Sequence, residues 1–294
     1  MERIVKKYLL IILLVGVWSC EDSASSNNDS TTSKRTALEY AYECESVLGP
    51  LPKFSCDDAI EVPSTKDGVP QTYPETEEGS GSSNINDCDH PWAFGMACQS
   101  NNKVGRYHGE NPDGSENSDV VFITFCRDGG LGVIGHKFST GETCFFSIED
   151  SGDPNNSPGP SEIGYNEAWQ PPHIVAADKC MNCHQASPFL HSPAIDQIKM
   201  PTDPSKLLVP ITGNGPYSII GAEFQQPRTT TNIQNSCTSC HRPQCTKHFE
   251  NYPLDELRMP PPFQNITDFD HSSISEADRQ AIRDWCETLN FDIQ

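Results

Sequence analysis

The sequence is poor in apolar residues and in positive charge. Hydrophobic residues occupy 35% of its 294 positions, and 20 Lys and Arg residues stand against 41 Asp and Glu, for a formal net charge of −21. Without a basic stripe to neutralise phosphates, nucleic acid is not an expected partner. The acidic charge indicates a solvated acidic surface, and such a surface can also steer the protein toward a partner with a basic docking surface. The small apolar fraction also predicts a thin core, which needs cross-links or a bound group for its stability.

The chain also has no apolar run as long as the ~20 residues that a membrane-spanning helix needs. An apolar run at 8–18 follows a short basic region at 3–7, which is the pattern of a sequence that directs export. The end of this run, at Cys20, resembles a bacterial lipoprotein signal. The resemblance implies that residues 1–19 are removed and that Cys20 carries a lipid, which anchors the protein to a bacterial membrane, facing the periplasm or the cell surface. Ordinary cleavage with Cys20 unmodified is the alternative, and it also predicts export.

Shifts in composition divide the rest of the chain. Residues 20–36 are mostly Ser, Asn, Asp and Thr, which predicts a flexible tether. Residues 37–150 form a predicted first domain, and residues 161–294 a predicted second domain. The segment between them, 151–160, is rich in Pro, Gly and Asn, so neither a helix nor a central strand fits there and we expect a linker.

The first domain contains the clearest strand signals. Val120–Cys126, Leu131–Phe138 and Thr143–Ile148 are rich in β-branched and aromatic residues, and Gly129 begins a Gly-Gly turn between the first two. These three segments predict a small antiparallel sheet. The polar stretch 64–86 predicts a long loop.

Two Cys-x-x-Cys-His motifs stand in the second domain. Two thiols one helical turn apart can reach the two vinyl groups on one edge of a porphyrin and form thioethers, and the adjacent His then faces the iron. A zinc site is the main alternative, but the cysteine pairs of a zinc ribbon are about 15–20 residues apart, much closer than these. We therefore expect two covalently bound haem c groups, held by Cys180, Cys183 and His184 and by Cys237, Cys240 and His241.

Each motif begins an imperfect internal repeat. A His follows each motif His at a distance of seven residues, at His191 and His248, and a Met-Pro pair comes further on, at Met200 and Met259. Such a repeat is typical of two small modules that lie side by side.

The residues from 173 to 294 resemble a di-haem c-type cytochrome. The segment 258–261, Arg-Met-Pro-Pro, followed by a predicted terminal helix that contains Trp285, is similar to the C-terminal half of small soluble cytochromes c. The resemblance implies a mostly α-helical domain in which the Met259 sulfur is the sixth iron ligand, and the repeat extends this role to Met200. Methionine ligands raise the reduction potential relative to two imidazoles. The alternative sixth ligands are His191, His248 and His173.

Cysteine is abundant, with 13 residues. Once Cys20 and the two motifs are set aside, six cysteines lie in the first domain and two in the second. Even numbers predict disulfides that close within each domain in an oxidising compartment. Cys126 with Cys144 would cross-link the predicted hairpin. The eight predicted disulfide cysteines are Cys44, Cys56, Cys88, Cys98, Cys126, Cys144, Cys245 and Cys286.

Together these features predict an α+β protein, with a disulfide-linked, β-rich N-terminal domain followed by a mostly α-helical, cytochrome c-like di-haem domain. The function that they favour is electron transfer to and from a redox protein partner, by a carrier rather than a catalytic enzyme. Two alternatives stay open. One is a di-haem peroxidase-like oxidoreductase with one open iron, and the other is a binding module in the first domain that carries a redox domain.

Overall fold

The computed structural model describes residues 34–227, apart from 74, 77–78, 83, 93–97, 128, 150–151, 178–179, 181–183, 185–186 and 213–214. Its strands are β1 (Ile60–Glu61), β2 (Thr65–Lys66), β3 (Val69–Pro70), β4 (Glu75–Thr76), β5 (Gly79–Ser82), β6 (Cys98–Gln99), β7 (Lys103–Glu110), β8 (Glu116–Arg127), β9 (Gly130–Lys137), β10 (Glu142–Ile148), β11 (Lys199–Met200), β12 (Asp203–Leu207) and β13 (Ser218–Ile219). A six-stranded sheet in the order β1-β7-β8-β9-β10-β13 organises this part of the chain. Its first five strands pair antiparallel, and β13 lies parallel to β10.

The predicted antiparallel sheet is confirmed, because the three predicted strands coincide with β8, β9 and β10 within a few residues. The turn between β8 and β9 contains Gly129, which has a φ of 80° that suits glycine. The prediction of a long loop at 64–86 is wrong in detail. Short strands β2 to β5 form there, and they pair as β2 with β3 and as β4-β5-β6.

A helix, α1 (Ala37–Leu48), precedes the sheet. Thr36 and Glu39 form a capping box at its start, and Gly49, with a φ of 82°, follows its end. The residues of α1 that are buried against the sheet and its neighbours share one helical face, and they are Ala37, Tyr40, Ala41, Cys44 and Leu48.

Strand β8 separates two core clusters, because its alternate side chains point to opposite faces of the sheet. Phe122 and Cys126 belong to the first core cluster, which also takes in α1 and residues between 165 and 224. Val121 and Ile123 belong to the second core cluster, which includes residues between 189 and 209. Both faces of the sheet are therefore covered.

The predicted fold class, α+β with a mostly α-helical cytochrome c-like second domain, is wrong. Within the described part of 161–227 the helices are only four to six residues long: α2 (Tyr165–Ala168), α3 (Pro172–Ala177) and α4 (Pro193–Asp196). Frequent prolines between 171 and 216 remove backbone donors and interrupt helical runs. The described structure is rich in sheet, and none of its helices is long and apolar enough to cross a membrane.

The predicted linker, 151–160, makes specific hydrogen bonds on both of its sides. The buried Ser157 hydroxyl donates to the Phe54 carbonyl at 2.6 Å, and the Trp169 indole N–H donates to the Pro158 carbonyl at 2.9 Å. Strand β13, from beyond the linker, joins the sheet of the first domain. The boundaries proposed from the sequence stay a prediction.

Three disulfides join all six cysteines of the first domain, as predicted: Cys44–Cys144, Cys56–Cys126 and Cys88–Cys98. The expected Cys126–Cys144 cross-link is wrong. In the register of the sheet Cys126 lies beside Leu131, whereas Cys144 lies beside Gly135, so the two cysteines stand at different positions along the strands. Cys144 is bonded to α1 instead, and Cys126 to the loop before β1.

Candidate functional site around His184

The structure describes part of the predicted site. Cys180, His184, Met200, His191 and His173 lie within the described residues. The predicted terminal helix lies outside the described residues. So do the other predicted site residues, which are Cys20, Cys183, Cys237, Cys240, His241, Cys245, His248, Met259 and Cys286.

The first motif begins in a helical turn. The His184 backbone N–H donates to the Cys180 carbonyl at 2.9 Å, which is the i to i−4 bond of an α-helix. The Cys180 thiol donates to the Val175 carbonyl of α3 at 3.2 Å, and Cys180 packs against the first core cluster. Cys180 and His184 therefore lie on one face of a single turn, which is the arrangement that thioether formation and axial ligation require together.

The His184 imidazole is held in a defined state. Its Nδ1 donates to the Pro188 carbonyl at 2.9 Å, and the Phe145 ring lies 5.4 Å from it, centroid to centroid. A carbonyl only accepts, so Nδ1 carries the proton and Nε2 has the lone pair that a metal needs. Burial lowers the pKa of His184 to about 4, so the ring is neutral at neutral pH.

The main chain of His184 is tied to the sheet by Tyr217. The Tyr217 hydroxyl donates to the His184 carbonyl at 2.6 Å, across 33 residues of sequence. Tyr217 directly precedes β13, whose parallel pairing with β10 fixes its position. The motif thus rests on the sheet rather than on a helical bundle.

His136 is a buried histidine that sequence reasoning missed. It is 1% exposed on β9, and its Nδ1 lies 2.8 Å from the Thr143 hydroxyl oxygen. Thr143 donates to the Gly141 carbonyl at 3.1 Å, so it accepts from His136, whose Nδ1 carries the proton. The His136 ring contacts Phe189 and Tyr217, which places it behind the loop of the motif. Its position within a predicted strand was the signal that it would be buried.

Six buried side-chain polar atoms have no hydrogen-bond partner within the described structure, and two of them, Nδ1 of His173 and Oε1 of Gln170, shortly precede the motif in the chain. His173 lies on α3, which packs against β10, as does the motif through Phe145. Buried polar atoms are nearly always paired in proteins, so an unpaired one calls for an explanation. A bound group with polar substituents at this place would supply the missing partners.

The other predicted ligands of the first haem have different surroundings. Met200 lies on β11 and packs against the second core cluster, whereas Cys180 packs against the first. His191 lies between two acceptors, since its Nδ1 is 2.7 Å from the Asp196 carboxylate and its Nε2 is 3.3 Å from the Pro210 carbonyl. Among the described residues, the side-chain contacts of Met200 and His191 thus lie elsewhere than at His184.

Across the part of the chain that the structure describes, no group of three or more His, Cys, Asp and Glu side chains lies together in a way that would hold a metal ion. A porphyrin needs fewer protein ligands, because haem iron is held by one axial residue on each side. The motif residues fit this group: His184 presents a neutral imidazole, and unpaired polar atoms lie close by in the chain.

A scan against protein-family models finds no match for this chain, and searches of curated proteins and of solved structures find none either.

Proposed function

We propose that this protein is an exported c-type cytochrome that carries two covalently bound haems and transfers electrons between redox partners. The first haem is bound through Cys180, Cys183 and His184, and the second through Cys237, Cys240 and His241. The haem iron supplies the one-electron chemistry, and the chain attaches the group, supplies an axial imidazole and covers that imidazole from water.

The observation that carries this proposal is the hydrogen bond from His184 Nδ1 to the Pro188 carbonyl. Histidines that bind metals in proteins almost always donate their other N–H to a carbonyl or carboxylate, which fixes the ring and leaves the second nitrogen for the metal. Phe145 packs against the same ring and shields it from solvent. The helical bond between His184 and Cys180 supports the proposal independently, since it brings a thiol to the same turn.

The proposal includes a place and a partner. Lipidation at Cys20 would hold the protein at a bacterial membrane, facing the periplasm or the cell surface, on the polar tether 20–36. A net charge of −21 favours a redox partner with a basic docking surface, because opposite charges steer association.

Haem content tests the proposal. The full chain is produced in a host that matures c-type cytochromes, and covalent haem is counted by pyridine haemochrome absorbance and by intact mass. We expect two haems per chain. A variant in which both cysteines of one motif are replaced with Ser should bind one haem instead of two. The matched control is Cys88→Ser with Cys98→Ser, which removes two cysteines at a disulfide and should keep both haems. A colourless protein would overturn the proposal.

A second candidate is a peroxidase-like oxidoreductase with one open iron. It is favoured by the contacts of the two predicted sixth ligands. Met200 packs against the second core cluster, and His191 lies in hydrogen-bond distance of Asp196 and Pro210. Carbon monoxide separates the two candidates, because it binds reduced haem only where the sixth position is open or easily displaced. No spectral change with carbon monoxide supports the carrier, and binding to one of two haems supports the oxidoreductase.

A further inference from the structure

We propose that Tyr217 is a positioning residue for the first haem: its hydroxyl fixes the main chain of His184 to the sheet and so sets how the imidazole meets the iron. This inference rests on the proposed function. It concerns a residue that lies 33 positions after His184 and outside the motif.

Tyr217 itself is held firmly. The next residue, Ser218, donates its backbone N–H to the Gly141 carbonyl at 2.9 Å, and it begins the parallel pairing with β10. The backbone of Pro216 approaches Gly141 so closely that a Cβ atom at Gly141 would stand 2.3 Å from the Pro216 carbonyl carbon. The main chain on both sides of Tyr217 is therefore fixed relative to the sheet, and this holds the Tyr217 side chain in place.

The contact with His184 is short and directional. The phenol donates to the His184 carbonyl at 2.6 Å, while the His184 ring donates to the Pro188 carbonyl at 2.9 Å. Main chain and side chain of the same residue are thus fixed by two separate partners. The Tyr217 ring also lies 6.4 Å from the ring of buried His136, which limits its movement.

The phenol would also act electrostatically on a haem bound at His184. Its O–H dipole points its positive end at the His184 carbonyl, where it would stabilise an electron added to the haem. Hydrogen bonds around the axial ligand are among the means by which a protein sets haem potential. Removing the hydroxyl should therefore lower the midpoint potential of the first haem and leave the second unchanged.

The test compares Tyr217→Phe with Thr212→Val in the full, haem-loaded chain. Thr212 is the matched control because its hydroxyl lies 2.9 Å from that of Ser187, so it links the same two segments without touching His184. Spectroelectrochemical titration resolves the two midpoints, and electron paramagnetic resonance follows the oxidised haems. For Tyr217→Phe we expect the reduction equilibrium of one haem to fall three- to tenfold, a tenfold change being about 59 mV for a one-electron couple. We also expect one of two resonance signals to change.

Thr212→Val should leave both midpoints and both signals as in the unmodified protein. Equal shifts in the two variants would overturn the inference, because they would mean that Tyr217 only joins segments. Unchanged midpoints in Tyr217→Phe would overturn it as well, while the proposed function would stand. A Tyr217→Phe chain that does not fold is replaced by one with 4-fluorophenylalanine at position 217, which nearly fills the volume of the phenol without a hydrogen-bond donor and carries the same expectation. If the unmodified chain carries no haem, the proposed function fails and this inference fails with it.

Discussion

The described chain has two regions that are stabilised by different means. In residues 34–149, the sheet region, long strands pair over many residues and three disulfides close the structure. In residues 152–227, the motif region, the helices are four to six residues long, and the short strand β13 and a few separate hydrogen bonds attach the chain to the sheet region. A disulfide-linked scaffold thus supports the segment to which we assign the chemistry, which is how functional loops are commonly built.

The largest effect should come from the disulfide with the longest loop. Cys44–Cys144 closes 100 residues and Cys88–Cys98 closes 10. The entropy that a cross-link removes from the unfolded chain grows with loop length. Because Cys56–Cys126 lies inside the first loop and stays closed, the loop that Cys44–Cys144 adds is about 30 residues, so replacing both cysteines with Ser should cost about 3–4 kcal/mol of unfolding free energy, against about 2–3 kcal/mol for the short loop. Urea unfolding curves of both double variants measure the difference. A short-loop variant that loses as much as the long-loop one would contradict this account.

Tyr40 joins the two regions directly. Its hydroxyl donates to the Ile220 carbonyl and accepts from the Phe145 backbone N–H, both at 3.2 Å. Tyr40→Phe removes both bonds and leaves buried groups unpaired, so we expect a loss of about 2 kcal/mol. Tyr42→Phe, on the exposed face of the same helix, is the control and should change stability very little. Chemical denaturation followed by tryptophan fluorescence gives both values.

The same residue predicts a dependence on alkaline pH. Burial raises the pKa of Tyr40 above its usual value of about 10. The unfolded chain therefore ionises this phenol first, so its contribution to stability is complete below pH ~10 and is lost as the pH rises beyond that value. In Tyr40→Phe the free energy of unfolding should therefore fall less steeply with pH above pH ~10 than in the unmodified protein. Equal alkaline slopes in both proteins would show that Tyr40 does not carry the effect.

A smaller effect should come from Ser157, which fixes the segment between the regions. Its hydroxyl is fully buried and donates to the Phe54 carbonyl at 2.6 Å. Ser157→Ala leaves that carbonyl without this donor and should cost about 1 kcal/mol. Ser115→Ala, at an exposed turn, is the matched control. Thermal unfolding should give melting temperatures that differ by a few degrees between the two variants. Identical melting temperatures would contradict a stabilising role of the Ser157 hydrogen bond.

The smallest effect concerns Asp89, at the surface of the sheet region. Its carboxylate accepts from the Gly68 and Asp67 backbone N–H groups and from the Thr65 hydroxyl, which lowers its pKa to about 2. Its contribution is present above pH ~4, the unfolded value, and is lost as the pH falls through 2. Carboxyl-carbon NMR titration reads the pKa directly. Thr65→Val should raise it, and an unchanged titration would contradict the assigned hydrogen bond.

The sequence predicted the sheet region well and the motif region poorly. β8, β9 and β10 were found because β-branched and aromatic residues alternate there around a Gly-Gly turn. The even number of cysteines predicted that all six form disulfides. It could not predict that Cys126 pairs with Cys56, because that pairing depends on the register of the strands.

The contacts around His184 show the limit of pattern reasoning most clearly. The motif itself is local, so spacing alone predicted Cys180 and His184 as site residues, and their role stays a prediction. Tyr217 reaches His184 from 33 residues away, and His136 is buried behind it through the pairing of β9 with β10. No periodicity in the sequence predicts these long-range contacts, because they form only when the strands, β13 included, have paired in the sheet. The predicted helical domain failed for a simpler reason, the prolines between 171 and 216.

The Cys44–Cys144 bond has a mechanical consequence. Tension applied at the N-terminal side of α1 and at any point after β10 passes through this bond, because it is the covalent shortcut between residues 44 and 144. The strands from β1 to β9 lie inside the closed loop, together with the other two disulfides, so the covalent path of the load bypasses them. A pull on a tethered copy would thus be borne by one sulfur–sulfur bond within the sheet region, and the strands from β1 to β8 would stay paired.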